Sequence, residues 1–390
     1  MKKNNKVLFV VLDYDTGGIT SSLRAYINLL NKDCDISILN LNGDPIPDSL
    51  NSEINQIFLN KKAQIWNLKT KDLKKKPWLI FLGIIKKILN RIGVWNKHCF
   101  KKMVVGSFDC VIGFRQSPII LDFIKYSMPS CQNKICFWHG DPDYMTGINK
   151  WIKKLEAVNR IICVSKYVAQ RMKDLYPFIS DKVITIYNPI NYQEITNLAE
   201  QNCESGNKQT KNDVLKLITV SRVSFQDKGV DLIPSIAHIL KDNGIHFVWT
   251  IIGDGPDFSE LEYLVNKSCV SEYVHLLGRV DNPYKCIAES DVFVLTSKTE
   301  SFGIVLLESM YLHIPCISTN FPAAHEIIKN NIDGLICENG AKDIANKIIE
   351  FYYNKELKKT IISNLNNKTY NNLETKKKIL ELIENGKEQN

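Results

Sequence analysis

Short aliphatic and β-branched runs alternate with longer stretches of helical periodicity along almost the whole chain. Lys6–Leu12, Asp35–Leu39, Asp109–Gly113, Lys134–Trp138, Arg160–Val164 and Lys182–Ile186 predict strands, with helix-like segments between them. Apolar residues follow one another within these runs, so both faces of each strand need cover. Helices packed on a parallel sheet supply it, which makes the class α/β, built from βαβ units.

The rhythm breaks at Asn191–Asp213, a polar, aromatic-poor stretch, and then restarts. Val214–Ser221, Phe247–Ile252, Tyr273–Leu277, Val292–Thr296 and Cys316–Thr319 predict the strands of a second α/β domain. The expected organisation is a first domain over 1–190, a linker over 191–213, a second domain over 214–373, and a terminal amphipathic helix over 374–390 that can pack back toward the first. In the helix from Ala341, Ile344, Ala345, Ile348, Ile349 and Tyr352 form a core-facing stripe. Ligands of open parallel sheets sit outside the carboxyl ends of the strands, so chemistry is expected in strand-end loops and in a cleft between the two domains.

Composition narrows the class. With 390 residues and 44% hydrophobic content the chain can bury two cores. No apolar run approaches 18 residues, and Met1-Lys2-Lys3-Asn4-Asn5-Lys6 leads straight into a strand rather than a signal segment, so a cytoplasmic location is expected. The eleven cysteines are scattered without a CxxC pair, which fits reduced, mostly buried thiols and no zinc site.

The net charge of +8 is local. Lys61 to Lys102 holds thirteen Lys/Arg against the single acid Asp72, so this stretch carries +12 and the rest of the chain −4. Within it, Lys74-Lys75-Lys76 and Lys86-Lys87 bracket an apolar block beginning Pro77-Trp78, too short to span a bilayer. Two readings stand: a segment lying on an anionic membrane surface through Lys74–Lys87, and a core helix whose lysines face water. Nucleic acid is not an expected partner, because the block lacks interleaved stacking aromatics.

Two segments carry candidate chemistry. In Thr296-Ser297-Lys298-Thr299-Glu300-Ser301-Phe302-Gly303-Ile304 a strand gives way to a loop and then a helix, with Glu308 on its second turn. Free N–H groups at that helix start attract anions, Gly303 permits close approach, and a carboxylate accepts hydrogen bonds from the vicinal hydroxyls of a ribose. In Ser221-Arg222-Val223-Ser224-Phe225-Gln226-Asp227-Lys228-Gly229 two cations sit at a strand end and at the entry to the next helix. Their charge-assisted hydrogen bonds, about 1.5–3 kcal/mol each, can hold a diphosphate without a metal.

Taken together these residues resemble the retaining glycosyltransferases of family 4, also called glycosyl transferases group 1. The resemblance covers most of the chain. Its most specific part is the E-x7-E spacing of Glu300 and Glu308, in the same order as Arg222…Lys228-Gly229, Gly253-Asp254-Gly255-Pro256, Leu277-Gly278-Arg279 and Asp291-Val292-Phe293. It implies the GT-B fold, two facing Rossmann-like domains, and transfer of a sugar from a nucleotide-sugar donor to a glycan acceptor. By the resemblance Arg222 and Lys228 bind the donor pyrophosphate, Glu308 holds the ribose and Glu300 contacts the donor sugar. Ser301 and the amides of Phe302, Gly303 and Ile304 complete the cradle, and Gly253, Gly255, Gly278 and Arg279 flank the nucleotide. In the first domain Gly17-Gly18 matches the family's glycine-rich loop, and His139 the histidine that faces the donor sugar.

No cofactor or metal is expected. Asp13-Tyr14-Asp15 and Asp141-Pro142-Asp143 look like a metal-binding DxD of the other glycosyltransferase fold but lie in the first domain, away from the cation pair. Two departures from the family pattern are Ser221, where a glycine is usual before the arginine, and Phe321-Pro322-Ala323-Ala324-His325-Glu326, where a Gly-Gly turn is usual. The second lies near where donor-sugar specificity is set. The first domain's basic apolar block fits a lipid-linked acceptor at the inner leaflet, as in capsule, O-antigen or exopolysaccharide synthesis. The alternatives are a nucleotide-sugar epimerase of similar architecture and a non-catalytic partner that presents acceptor to another transferase.

Overall fold

In the computed structural model, which describes residues 5–14, 17–47, 54–57, 106–201 and 214–384 with the single positions 50, 97, 100 and 101, the chain divides into two domains. The first comprises Met1–Pro189 and Asn372–Asn390, the second Ile190–Asn371. Lys74–Lys87 and most of the basic stretch lie outside the described residues.

The first domain follows from consecutive apolar residues in its strands. In β1 (Asn5–Val11), Val7, Phe9 and Val11 enter one core, while Leu8 and Val10 enter the core on the other face. Around it stand β2 (Cys34–Asn40), β3 (Asn55–Ile57), β4 (Cys110–Gly113), β5 (Asn133–Trp138), β6 (Arg160–Cys163) and β7 (Val183–Thr185), all parallel, in the order β3-β2-β1-β4-β5-β6-β7. The order reverses direction between β1 and β4, a topological switch point at which α/β sheets bind ligands. Helices α1 (Gly18–Leu30), α2 (Pro118–Ser127) and α3 (Lys166–Leu175) make crossovers.

The expected linker does not begin as one. Residues Tyr192–Glu200 form α4, which belongs to the second domain. Asn191 caps it: its Oδ1 accepts from the Glu194 N–H at 3.4 Å, and its Nδ2 donates to Glu194 Oε2 at 2.7 Å. The helix buries Ile195, so a polar composition conceals it.

The second sheet orders β8 (Leu215–Val220), β9 (Phe247–Ile252), β10 (Val274–Gly278), β11 (Val292–Leu295), β12 (Cys316–Thr319) and β13 (Leu335–Cys337) as β10-β9-β8-β11-β12-β13, again all parallel. Its switch point falls between β8 and β11. Helices α5 (Ile233–Asp242), α6 (Phe258–Lys267), α7 (Tyr284–Ala288), α8 (Ile304–Tyr311), α9 (Ala324–Ile327), α10 (Ala341–Tyr353) and α11 (Lys355–Asn366) complete it. In α10 the buried stripe is Ile344, Ala345, Ile348 and Phe351, one residue before the Tyr352 expected there. Helix α12 (Leu373–Glu384) belongs to the first domain, where Ile379 and Ile383 enter the β1 core and Asn133 donates to the Leu382 carbonyl. No described helix is long and apolar enough to cross a membrane.

Candidate functional site

At the second sheet's switch point, the loops leaving β8 and β11 are tied together by backbone and side chain. The Asp227 carbonyl accepts the N–H of Lys298 at 2.9 Å and of Thr299 at 3.3 Å. The Thr296 hydroxyl donates to the Lys228 carbonyl at 2.8 Å, and Lys298 Nζ to the Phe225 carbonyl at 2.7 Å. Gly229 makes the close approach possible: its φ is +60°, and a Cβ there would lie 2.3 Å from the Thr296 oxygen.

This clamp brings Arg222, Lys228 and Glu300 into one constellation. Lys228 Nζ lies 2.6 Å from Glu300 Oε1, which also accepts the Ser297 hydroxyl at 2.9 Å. Arg222 is largely exposed and pairs with Asp227 at 2.7 Å; the same carboxylate is 4.0 Å from Lys228. Burial alone would raise the Asp227 pKa. Hydrogen bonds from Ser224 and Arg222 and the charges of Lys228 and Arg222 outweigh it and hold the group below the usual carboxylate range. Both cations thus stand on carboxylates that an incoming anion can replace.

Glu308 lies one turn into α8 and is buried, with the Tyr284 hydroxyl 3.1 Å from its Oε1. Phe302 is buried, and Gly303 enters α8 with φ +85°, leaving the helix start without a side-chain cap or an acid in the first turn. Ser301 is half-buried in the loop and Ile304 is the first helical residue. Gly253 and Gly255 follow β9 against the backbone of Ser221 and Val223, and the Gly253 N–H donates to the Gly278 carbonyl at 2.7 Å. Arg279 is exposed at the end of β10. The Ser221 Oγ, where the family pattern has glycine, is buried without a hydrogen-bond partner among the described residues. Phe321 is buried, its Cζ 3.1 Å from where a Gly303 Cβ would stand, so the departing turn backs onto the start of α8.

In the first domain, Gly17 (φ +147°) precedes α1, whose first residue is Gly18; α1 has no side-chain cap and no acid in its first turn. His139 follows β5, its ring stacked on Phe137 at 5.7 Å and tilted against Phe114 at 5.1 Å. Its backbone N–H donates to Gln116 Oε1 at 2.9 Å, while its buried ring Nε2 has no partner among the described residues. Burial pushes its pKa down to about 3, with the Phe114 backbone hydrogen bond opposing and the Arg115 charge assisting, so the ring is neutral. Of the DxD-like carboxylates, Asp13 pairs with Arg115 at 3.1 Å and Asp143 with Arg171 at 2.6 Å. Asp15 lies outside the described residues.

The family model for glycosyl transferases group 1 matches residues 202–368, nearly the whole second domain. Those residues are similar to the glycosyl transferases group 1 family. It is 31% identical over 209 residues to an uncharacterized glycosyltransferase of Methanocaldococcus jannaschii, covering 53% of each chain. It is 27% identical over 232 residues to the N-acetyl-alpha-D-glucosaminyl L-malate synthase of Bacillus anthracis, covering 59% of this chain and 56% of the relative. The chain thus spans just over half the length of these curated relatives. The crystal structure of Anabaena HepE in complex with UDP and glucose superimposes with a TM-score of 0.72 at 15% identity, covering 98% of this chain and 100% of that one. The fold is therefore GT-B, as the resemblance implied.

Within the second domain, the sequence motifs leave out Asp227, Ser297 and Tyr284, which hold Arg222, Glu300 and Glu308. Asp227 and Ser297 carried a usable signal, since each lies in a strand-end loop beside a named residue. Tyr284 carried none: it is 24 residues from Glu308 in sequence.

Proposed function

We propose that the protein transfers a sugar, a hexose or an N-acetylhexosamine, from a nucleoside-diphosphate sugar to a hydroxyl of a glycan acceptor, with retention of configuration. The observation that carries this reading is the convergence of Arg222 and Lys228 at the switch point, beside the uncapped start of α8. As the glycosidic bond opens, negative charge develops on the departing diphosphate. Arg222, Lys228 and the first amides of α8 neutralise it in place, which lowers the barrier without a protein nucleophile or a metal. Attack by the acceptor on the same face follows. Glu308 holds the ribose, Glu300 the donor sugar, and Gly253, Gly255, Gly278 and Arg279 flank the nucleotide. By the family resemblance, the neutral His139 and the Gly17-Gly18 loop are the first domain's candidates for contacting the sugar. The Phe321–Glu326 turn behind Gly303 selects among sugars.

The acceptor is lipid-linked, presented at the inner face of the plasma membrane in surface-polysaccharide synthesis, with Lys74–Lys87 on anionic lipid. Support for that comes from the sequence, where apolar and cationic residues alternate in blocks. Ligand-observed NMR against UDP-, GDP-, ADP- and dTDP-sugars with chelator present tests the donor reading. One donor is expected to bind and to weaken in Arg222→Ala; a folded protein that binds none overturns it. Flotation with anionic liposomes tests the membrane reading, which fails if wild type does not float.

A further inference from the structure

We propose that Tyr284 is a positioning residue for the nucleotide, setting the Glu308 carboxylate that reads the ribose. Tyr284 has this role only if Glu308 holds the ribose as proposed above.

Glu308 is only 7% exposed, and a carboxylate so enclosed needs polar partners. The Tyr284 hydroxyl donates to its Oε1 at 3.1 Å. Tyr284 is itself fixed, because its N–H donates to Asn282 Oδ1 at 3.1 Å and Asn282 Nδ2 donates to the Leu198 carbonyl at 2.8 Å. A hydrogen-bonded series therefore runs from α4 through Asn282 and Tyr284 to the carboxylate. A second contact pins the same helix: the Thr196 and Tyr311 hydroxyls are 2.7 Å apart, and the Tyr311 ring packs on Tyr192 at 4.7 Å. Helix α4 thus holds α8 at its carboxyl end and holds Glu308 through Tyr284.

Chemistry gives this support a purpose. Two vicinal ribose hydroxyls donate together most favourably to a carboxylate whose plane is already fixed, because the terminal torsion of glutamate otherwise turns broadly. A tyrosine O–H on Oε1 restrains that torsion, and a carboxylate oxygen accepts more than one donor. Tyr284 therefore sharpens discrimination between ribose and deoxyribose.

The test is calorimetric binding of UDP, GDP and ADP and of their 2′-deoxy counterparts to the full chain, wild type and Tyr284→Phe. Wild type is expected to bind one ribonucleotide about tenfold more tightly than its 2′-deoxy form. Tyr284→Phe keeps the ring, and its preference is expected to fall to about twofold, mostly through weaker ribonucleotide binding. A merely structural role would weaken both ligands alike, so an unchanged ratio overturns the role of Tyr284. A wild type with no ribose preference overturns the ribose assignment of Glu308, and one that binds no nucleotide overturns the donor site. Should Tyr284→Phe fail to fold, Asn282→Ala loosens Tyr284 without touching Glu308, and an unchanged ratio there is equally fatal.

Discussion

Lys228 Nζ sits 2.6 Å from Glu300 Oε1, joining the loop after β8 to the loop after β11 across the switch point of the second sheet. The two residues are 72 positions apart in sequence. Only the adjacency of β8 and β11 puts the cation where the carboxylate can hold it.

In the proposed reaction, replacing Lys228 by alanine removes a charge that stabilises the departing diphosphate. Turnover is expected to fall by about a hundredfold or more, while stability falls by only about 1–2 kcal/mol, because Ser297 still donates to Glu300. Steady-state kinetics beside thermal melts check this. Near-normal turnover at unchanged stability would refute the assigned role.

Asp227 has a folded-state pKa below its ordinary value of 3.8. A depressed carboxylate pKa stabilises the fold above the unfolded value and ceases to do so as pH falls through the folded value. The penalty of Asp227→Asn in urea denaturation is therefore expected at pH 7 and should shrink steadily below about pH 4. A penalty that does not change with pH would show that the carboxylate's charge plays no part.

His139 acts in the same direction, through burial rather than ion pairing. Its pKa is pushed down to about 3 from an ordinary 6.5, so the unfolded chain binds a proton between those values that the folded chain does not. Stability on this account is lost as pH falls from about 6.5 toward 3. The imidazole carbon shifts of His139 should stay those of a neutral ring from pH 8 to 5, and His139→Gln should flatten the acid side of the stability profile. An NMR midpoint near 6.5 would contradict the buried, neutral ring.

The buried Ser221 hydroxyl has no hydrogen-bond partner among the described residues. Ser221→Ala removes it and is expected to raise stability by about 1 kcal/mol, measured by chemical denaturation. A loss of similar size would mean that the hydroxyl has a partner in solution.

Much of the architecture was legible because it rests on local signals. Phe247–Ile252 and Cys316–Thr319 match the expected strands residue for residue, since runs apolar on both faces have one use in an α/β protein. The three-residue edge strands β3 and β13 escaped notice: Asn55–Ile57 is too short and polar to mark itself, and Leu335–Cys337 becomes a strand by pairing with β12. Helix α4 was hidden by its polar surface.

The sequence by itself determined the βαβ rhythm, the two domains' class and which cations, glycines and carboxylates stand at strand ends. Tertiary structure decided the partnerships. Arg222 with Asp227, Glu300 with Ser297 and Lys228, Glu308 with Tyr284, and the buried His139 depend on which strands lie side by side and on what is excluded from water. Periodicity is a property of neighbours along the chain. Hydrogen bonding and desolvation are properties of neighbours in space, and a parallel sheet brings those together from tens of residues apart.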